Sequence, residues 1–165
     1  QGKYKIDAGH STTIYNGECV KISSGYVVGG NGSAANIIGV LNGIFFNAAD
    51  TLKPTFSNFY KATITPANSE DTTAFVIDDP FQQYVVSTDD ARTQAQFLAT
   101  YDMNSSAGSD ITGKSSSTLD TSVTDANGKQ FRLLRSAEDP ENEDITAAFF
   151  SGIVVSNTNS FNGHN

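Results

Sequence analysis

The amino-acid sequence predicts an all-β fold: a single-domain β-sandwich or β-barrel of short antiparallel strands, with at most one short helix. Its apolar residues recur with a period of two, in runs too short for most helices. Turn signals rich in Gly, Pro and Asn separate these runs, and no repeat of fixed period is present. Several short strands divided by such turns are typical of sandwiches and barrels.

The first strands are predicted as a hairpin. Asn16-Gly17 is a strong turn dipeptide, and apolar residues alternate over 19–22 directly after it. Ser23-Ser24-Gly25 turns the chain again before the apolar residues 26–28.

The most apolar stretch, residues 37–46, is predicted as a central strand. Gly39 and Gly43 interrupt it, and glycine within a helix is unfavourable. In a strand, such glycines mark a bulge or a place where another backbone comes close.

Two further strands are predicted over residues 59–65 and 73–77. The second ends at Asp78-Asp79-Pro80, because proline has no amide to donate and restricts the residue before it. We expect residues 74–79 to be central to the core and Phe75 to be fully buried within it.

The second half of the chain alternates between strands and polar loops. Strands are predicted near 83–87, 131–134 and 147–155. Asp89-Asp90, followed by Ala91, Ala95 and Leu98, predicts the one short helix. The Ser/Thr/Gly-rich residues 103–122 are predicted as a long exposed loop. The organisation is thus an extended N-terminal arm (1–13), a β domain (14–155) and a polar C-terminal tail (156–165).

Charge and composition narrow the classes of function. Ten Lys and Arg against eighteen Asp and Glu give a net charge of −8, which argues against direct binding of nucleic acid or anionic membranes. No apolar run is long enough to span a bilayer, and no signal peptide is visible. Cys19 is the single cysteine, so we expect a buried strand residue rather than a disulfide or a nucleophile.

No catalytic, cofactor-binding or metal site is predicted, and we do not expect an enzyme. The acidic pairs Glu70-Asp71, Asp78-Asp79 and Asp89-Asp90 lack the spacing of a calcium loop, so we expect solvated turns and strand ends. The acidic run 138–144 is expected to be a solvated loop, with a partner contact as the alternative. The two histidines, His10 and His164, lie near opposite ends of the chain in segments expected to be flexible tails.

Five segments resemble, in order, motifs of the tailed-bacteriophage head decoration proteins, a family of capsid-stabilising or cement proteins. The family patterns are "IYxGDxVKL", "IxGVFxG", "SxYW", "AxVxDDPxxxFxVQ" and "FRVLGxxxxPDN". The matching segments here are IYNGECVKI (14–22), IIGVLNG (37–43), SNFY (57–60), AFVIDDP with QYVV (74–80 and 83–86), and FRLL with PEN (131–134 and 140–142). The chain departs from the family at Cys19, at Tyr60 in place of the usual Trp, and in its long Ser/Thr/Gly segment.

The resemblance implies a β-tulip-like virion protein on the outer capsid surface. Such a protein binds the major capsid protein, often as a homotrimer at local three-fold positions, and cements neighbouring subunits without a cofactor. The N-terminal residues Lys3, Tyr4, Lys5 and Ile6 are the candidate capsid contacts, because an extended arm can add a strand to a neighbour's sheet. Lys3 and Lys5 would meet an acidic capsid surface.

Two other classes of function remain open at this stage. A carbohydrate-binding or adhesion module on a virion or cell surface would use exposed Tyr and Phe rings together with Asn and Asp side chains, although the chain has no Trp. A hydrolase on a β scaffold would need two positioned carboxylates or a catalytic triad, and the sequence offers neither.

Overall fold

The structure is a computed structural model, and it describes residues 1–32, 36–104, 108–125 and 128–161. It contains two antiparallel sheets, and the helical structure in these ranges consists of two 3-10 turns, Ala67–Ser69 and Gln94–Gln96. The predicted all-β class of short antiparallel strands is therefore confirmed. The chain divides into two compact units, each of which contains one of the sheets.

The first unit consists of Gln1–Gly30, Ile38–Asp79 and Ala107–Ser116. Its six strands are β1 (Gly2–Ile6), β2 (Cys19–Ser23), β3 (Tyr26–Gly29), β4 (Gly39–Asn47), β5 (Pro54–Ser57) and β6 (Thr72–Ile77). The order across the sheet is β1-β6-β4-β2-β3, and β5 pairs with β4 beyond the end of β2. Because β4 pairs with three strands, it is the centre of this sheet.

The predicted hairpin and central strand are both confirmed. Ser24 and Gly25 have φ values of 51° and 88°, so both turn residues are left-handed, as a two-residue hairpin between β2 and β3 prefers. In β4 the register shifts between Leu41 and Gly43, which is a bulge. A Cβ atom at Gly39 would lie 2.0 Å from the carbonyl oxygen of Ile77, so only glycine allows this approach.

The core of the first unit is lined by aliphatic side chains from β1, β2, β3, β4 and β6. Its buried members are Ile6, Ile14, Val20, Val27, Ile38, Leu41, Ile44, Tyr60, Ala74 and Val76. The expectation for Phe75 was wrong, because Thr72, Ala74 and Val76 face the core while Phe75 lies half-buried on the opposite face of β6. The segment 73–77 has apolar residues at both odd and even positions, so alternation alone could not show which side chains face the core.

The predicted N-terminal arm is not an arm in the structure. Residues Gly2–Ile6 form β1, which pairs with β6 from Gly2↔Val76 to Ile6↔Thr72. Ile6 is completely buried in the core. The sequence alone did not reveal this pairing, because the partner strand lies about seventy residues away.

Residues 47–65 also differ from the prediction. Pro54–Ser57 forms β5, an edge strand whose leading proline needs no ladder hydrogen bond. The predicted strand over 59–65 is replaced by a single antiparallel bridge between Tyr60 and Ile14. It stops there because the chain turns, with the amide of Ile64 donating to the carbonyl of Lys61.

The second unit consists of Asn31–Ile37, Pro80–Ser106 and Ser117–Asn165. Its five strands are β7 (Gln83–Ser87), β8 (Thr100–Met103), β9 (Leu119–Asp125), β10 (Phe131–Ser136) and β11 (Ser151–Ser156). Their order is β7-β11-β10-β8-β9. The strands predicted near 83–87 and 131–134 are confirmed, and the last predicted strand corresponds to β11.

The helix predicted from Asp89-Asp90 to Leu98 is wrong, and only the 3-10 turn Gln94–Gln96 forms there. The groups that would cap the helix are used elsewhere, because the Asp89 carboxylate accepts the amide of Thr121 and the Arg92 amide donates to the carbonyl of Ile145. These long-range bonds outweigh the local capping signal.

The predicted loop 103–122 and tail 156–165 are also partly ordered by pairing. Met103 ends β8 and Leu119 begins β9, and both side chains are buried. After β11, Asn159 forms a bridge with Ile37. Residues 105–107 of the predicted loop and 162–165 of the predicted tail lie outside the described residues.

Candidate functional site

Strand β1 divides the four candidate capsid contacts between two faces. Lys3 and Lys5 point outward and are exposed, whereas Tyr4 and Ile6 point toward the core. Ile6 cannot make a surface contact, because it is fully buried. The Tyr4 hydroxyl donates a hydrogen bond of 2.8 Å to a carboxylate oxygen of Asp78. Only the two lysines of the predicted set are therefore available to a partner.

The Tyr4–Asp78 contact predicts a loss of stability in alkali. Burial, and then the hydrogen bond to Asp78, raise the pKa of Tyr4 from 10.0 to about 12. A folded-state pKa above the unfolded value adds stability that is complete below the unfolded pKa and is lost as pH rises from about 10 to about 12. Urea unfolding at several pH values should show this loss in the wild type and a smaller one in Tyr4→Phe. Identical pH dependence in the two proteins would contradict the assignment.

The outer face of the first sheet carries rows of apolar and cationic side chains. Residues paired directly across an antiparallel sheet lie on the same face. One row runs across β1, β6, β4 and β5 through Lys5, Thr73, Phe45 and Phe56. The neighbouring row runs through Lys3, Phe75 and Gly43. We call Lys3, Lys5, Phe45, Phe56 and Phe75 the aromatic face.

Two rings of the aromatic face are open to solvent, and one of them contacts the half-buried third ring. Phe56 is 66% exposed and Phe45 is 37% exposed. The ring centroids of Phe56 and Phe75 are 5.8 Å apart. A Cβ atom at Gly43 would come within 3.0 Å of the Phe56 ring, so glycine leaves the space across which this ring reaches Phe75. Neighbouring exposed rings of this sort are a candidate interaction surface.

A small cleft of about 90 Å³ borders the aromatic face. Phe45, Phe46 and Pro66 form its apolar walls. Glu70 and Asp71 also line it, which makes it acidic despite the presence of Lys5.

A second exposed feature of the first unit is the loop 108–115. A bridge between Gly108 and Ser115 closes it, and within it the Ser109 amide donates to the Lys114 carbonyl at 3.0 Å. Ile111 lies at its tip and is 96% exposed. The loop therefore has a defined backbone that presents one large apolar side chain.

Side chains from the rest of the unit brace this loop. The Tyr15 hydroxyl donates to Asp110 at 2.8 Å, and Lys61 lies 3.3 Å from the same carboxylate. These two contacts hold the pKa of Asp110 below its usual value. On the other side of the tip, the Asn58 amide donates to the Thr112 carbonyl at 2.8 Å.

The second sheet also has a mixed apolar and cationic outer face. Val85, Ile153 and Arg135 are paired across β7, β11 and β10, and Val155 and Arg132 form the next row. Val85 and Arg135 are exposed. Each unit therefore presents cations beside apolar side chains, although the chain as a whole is acidic.

The cysteine and one of the two histidines lie within the folded part of the first unit. Cys19 is buried in β2, as predicted. His10 is not in a free tail: its ring lies 5.5 Å from that of Tyr60, and burial lowers its pKa. His164 lies outside the described residues.

The acidic pairs hold loops to strands. Asp71 accepts the amide of Ala8 at 3.3 Å, and Asp89 accepts that of Thr121 at 2.9 Å. The run 138–144 belongs to a mainly exposed loop. Over the ranges described above, no group of three or more His, Cys, Asp and Glu residues could hold a metal ion.

Comparison with known proteins found no match to the chain among protein-family models, curated proteins or solved structures. Among the described residues, no helix is long and apolar enough to cross a membrane.

Sequence reasoning missed both the aromatic face and the Ile111 loop. Phe56 fell in a segment predicted to be irregular, and Ile111 fell in the Ser/Thr/Gly-rich loop. The Asp110-Ile111-Thr112-Gly113 turn was a local signal, but its bracing by Tyr15 and Lys61 depends on contacts at least about fifty residues apart.

Proposed function

We propose that this protein is a structural virion component that binds the outer face of a tailed-phage capsid and cements neighbouring major capsid protein subunits. The observation that carries the proposal is the aromatic face, where two lysines flank exposed rings on a chain of net charge −8. Aromatic anchors with charges at the rim are the composition expected of a protein-binding surface. The ordered motifs of residues 14–155 supply the identity of the partner.

Two of those motifs meet in the structure. Ile14 and Tyr60 exchange backbone hydrogen bonds of 2.9 Å, and the Tyr15 ring stacks on Phe59 at 5.8 Å. Segments 14–22 and 57–60 therefore help to build the same unit. This supports a role for the motifs in folding, which leaves binding to the exposed faces.

Cementing acts by mass action on the capsid lattice. A protein that binds only the expanded lattice stabilises it by about 2.7 kcal/mol per site when its free concentration is a hundred times its Kd. A cement must contact more than one subunit, and the outer faces of both sheets offer apolar and cationic side chains for this purpose. Many symmetric sites multiply the effect.

Reversing the charge of the aromatic face should weaken attachment to capsids. Lys3→Glu combined with Lys5→Glu changes the face from +2 to −2. We expect at least tenfold weaker binding, about 1.4 kcal/mol, because an acidic capsid surface would then be repelled. Co-sedimentation with expanded, undecorated capsids measures the affinity.

Two exposed lysines outside the rows of the aromatic face, Lys53 and Lys114, provide the matched control. Lys53→Glu combined with Lys114→Glu makes the same change in net charge and should bind capsids much as the wild type does. Equal weakening by both double variants would show that net charge, not this face, governs attachment. If the wild type binds no tailed-phage capsid and is absent from virions, the proposal is wrong.

Carbohydrate binding is the second candidate function, and the exposed Phe56 ring favours it. Aromatic rings exposed on the face of a sheet can stack on sugars, and Asn42, which is exposed on β4, could donate hydrogen bonds. A glycan array distinguishes the two functions: specific binding abolished by Phe56→Ala would support the second.

A further inference from the structure

Ile111 is exposed at the tip of a loop whose backbone is braced by side chains from elsewhere in the unit. Isolated apolar residues on a surface are normal and need no explanation. Here, however, three side-chain contacts from Tyr15, Lys61 and Asn58 brace a tip whose one large apolar side chain, that of Ile111, points into solvent. A contact residue that is already ordered loses little entropy on binding, which is what makes an effective anchor.

The cleft beside the aromatic face has the size and walls to receive such an anchor. Its volume of about 90 Å³ is close to that of one aliphatic side chain, and its lining is mixed. Phe45, Phe46 and Pro66 provide apolar contact, and the other lining residues are polar: Lys5, Asn47, Glu70, Asp71 and Thr73. Ile111 does not occupy the cleft of its own chain, because it is almost entirely exposed.

The charges around the two features are complementary. Lys61 and Lys114 accompany Asp110 near Ile111, which gives the tip a net charge of +1. The cleft has Glu70 and Asp71 against Lys5, a net charge of −1. The chain as a whole has a charge of −8, so two copies repel each other on average. The positive tip around Ile111 and the acidic cleft of another copy attract each other, which favours contact at this place.

We propose that Ile111 of one copy inserts into the cleft of a second copy, so that the protein associates head to tail. Anchor and cleft are different surfaces of the same unit, so the contact is heterologous and leaves a free anchor and a free cleft at the ends. When this contact is repeated from copy to copy, the copies form a ring if the rotation relating neighbours closes after a whole number of copies. The proposal rests on the self-association that is part of the proposed cement function, and it names the residues that make the contact. It does not require capsid binding.

The first test is the oligomeric state of the purified protein in solution. Sedimentation velocity over a range of protein concentrations should show association of the wild type. Ile111→Ser should shift the midpoint of association at least tenfold toward higher concentration. At concentrations where both proteins are monomeric, its thermal unfolding should match that of the wild type, because the side chain is exposed. Phe81→Ser is the matched control, since Phe81 is 80% exposed in the second unit and should associate as the wild type does.

A charge swap tests the pairing of the two surfaces. Lys114→Glu and Glu70→Lys should each weaken association, whereas the double variant should recover it, because the complementary charges are then exchanged. A wild type that is monomeric at all concentrations would overturn the proposal. So would association unaffected by Ile111→Ser, or a double variant no better than the singles. Self-association without capsid binding would contradict the cement function and support this contact.

Discussion

Deletion of residues 1–6 is expected to unfold the first unit rather than release a flexible arm. The deletion removes the five residue pairs between β1 and β6 and leaves that edge of β6 unpaired. Loss of the buried Ile6 side chain alone should cost about 2–5 kcal/mol. Since a whole domain is stable by only about 5–15 kcal/mol, the added loss of Tyr4 and of the β1–β6 ladder should be decisive.

Urea unfolding followed by circular dichroism measures the effect of this deletion. The control is Lys3→Ser combined with Lys5→Ser, which keeps the strand and removes only outward side chains. It should change the free energy of unfolding by no more than about 0.5 kcal/mol. A truncated protein with wild-type stability would show that β1 is dispensable.

The second large effect is expected at Ile44, in the centre of β4. Ile44 is completely buried in the core of the first unit, so Ile44→Ala should lower the free energy of unfolding by about 2–5 kcal/mol. Its neighbour Phe45 points to the outer face. Phe45→Ala should cost less, about 1–2 kcal/mol, because roughly a third of that side chain is already exposed.

The two variants should separate stability from binding. Phe45→Ala removes part of the aromatic face, so it should weaken capsid attachment although the protein stays folded. Denaturant unfolding and capsid co-sedimentation on both variants provide the comparison. If Phe45→Ala were the more destabilising of the two, the assignment of the inner face of β4 would be incorrect.

The inner face of β4 illustrates how much the sequence can predict. The strand, its central place and the special role of its glycines all follow from the apolar run with Gly39 and Gly43. The side chains that face the core do not follow. Leu41 and Ile44 are both buried because the bulge between them changes the parity of the alternation.

The elements that were missed share a physical cause. Strand β1 forms because β6 pairs with it, and β5 forms because β4 does. Asp89, predicted to begin a helix, instead accepts the amide of Thr121 in β9. In each case, hydrogen bonds between distant segments decide the local structure, and local patterns do not record them.

The sequence by itself determined the class of fold and most of the strands, because period-two alternation and turn residues act over a few positions. Only the tertiary structure decided which lysines and rings are available to a partner. Lys3 joins Phe75, and Lys5 joins Phe45, through pairing among β1, β6 and β4. Likewise, Ile111 became a presented anchor only through the contacts of Tyr15, Lys61 and Asn58 with its loop. A surface is assembled from residues far apart in the chain, so its composition depends on strand register, which a one-residue shift would reverse.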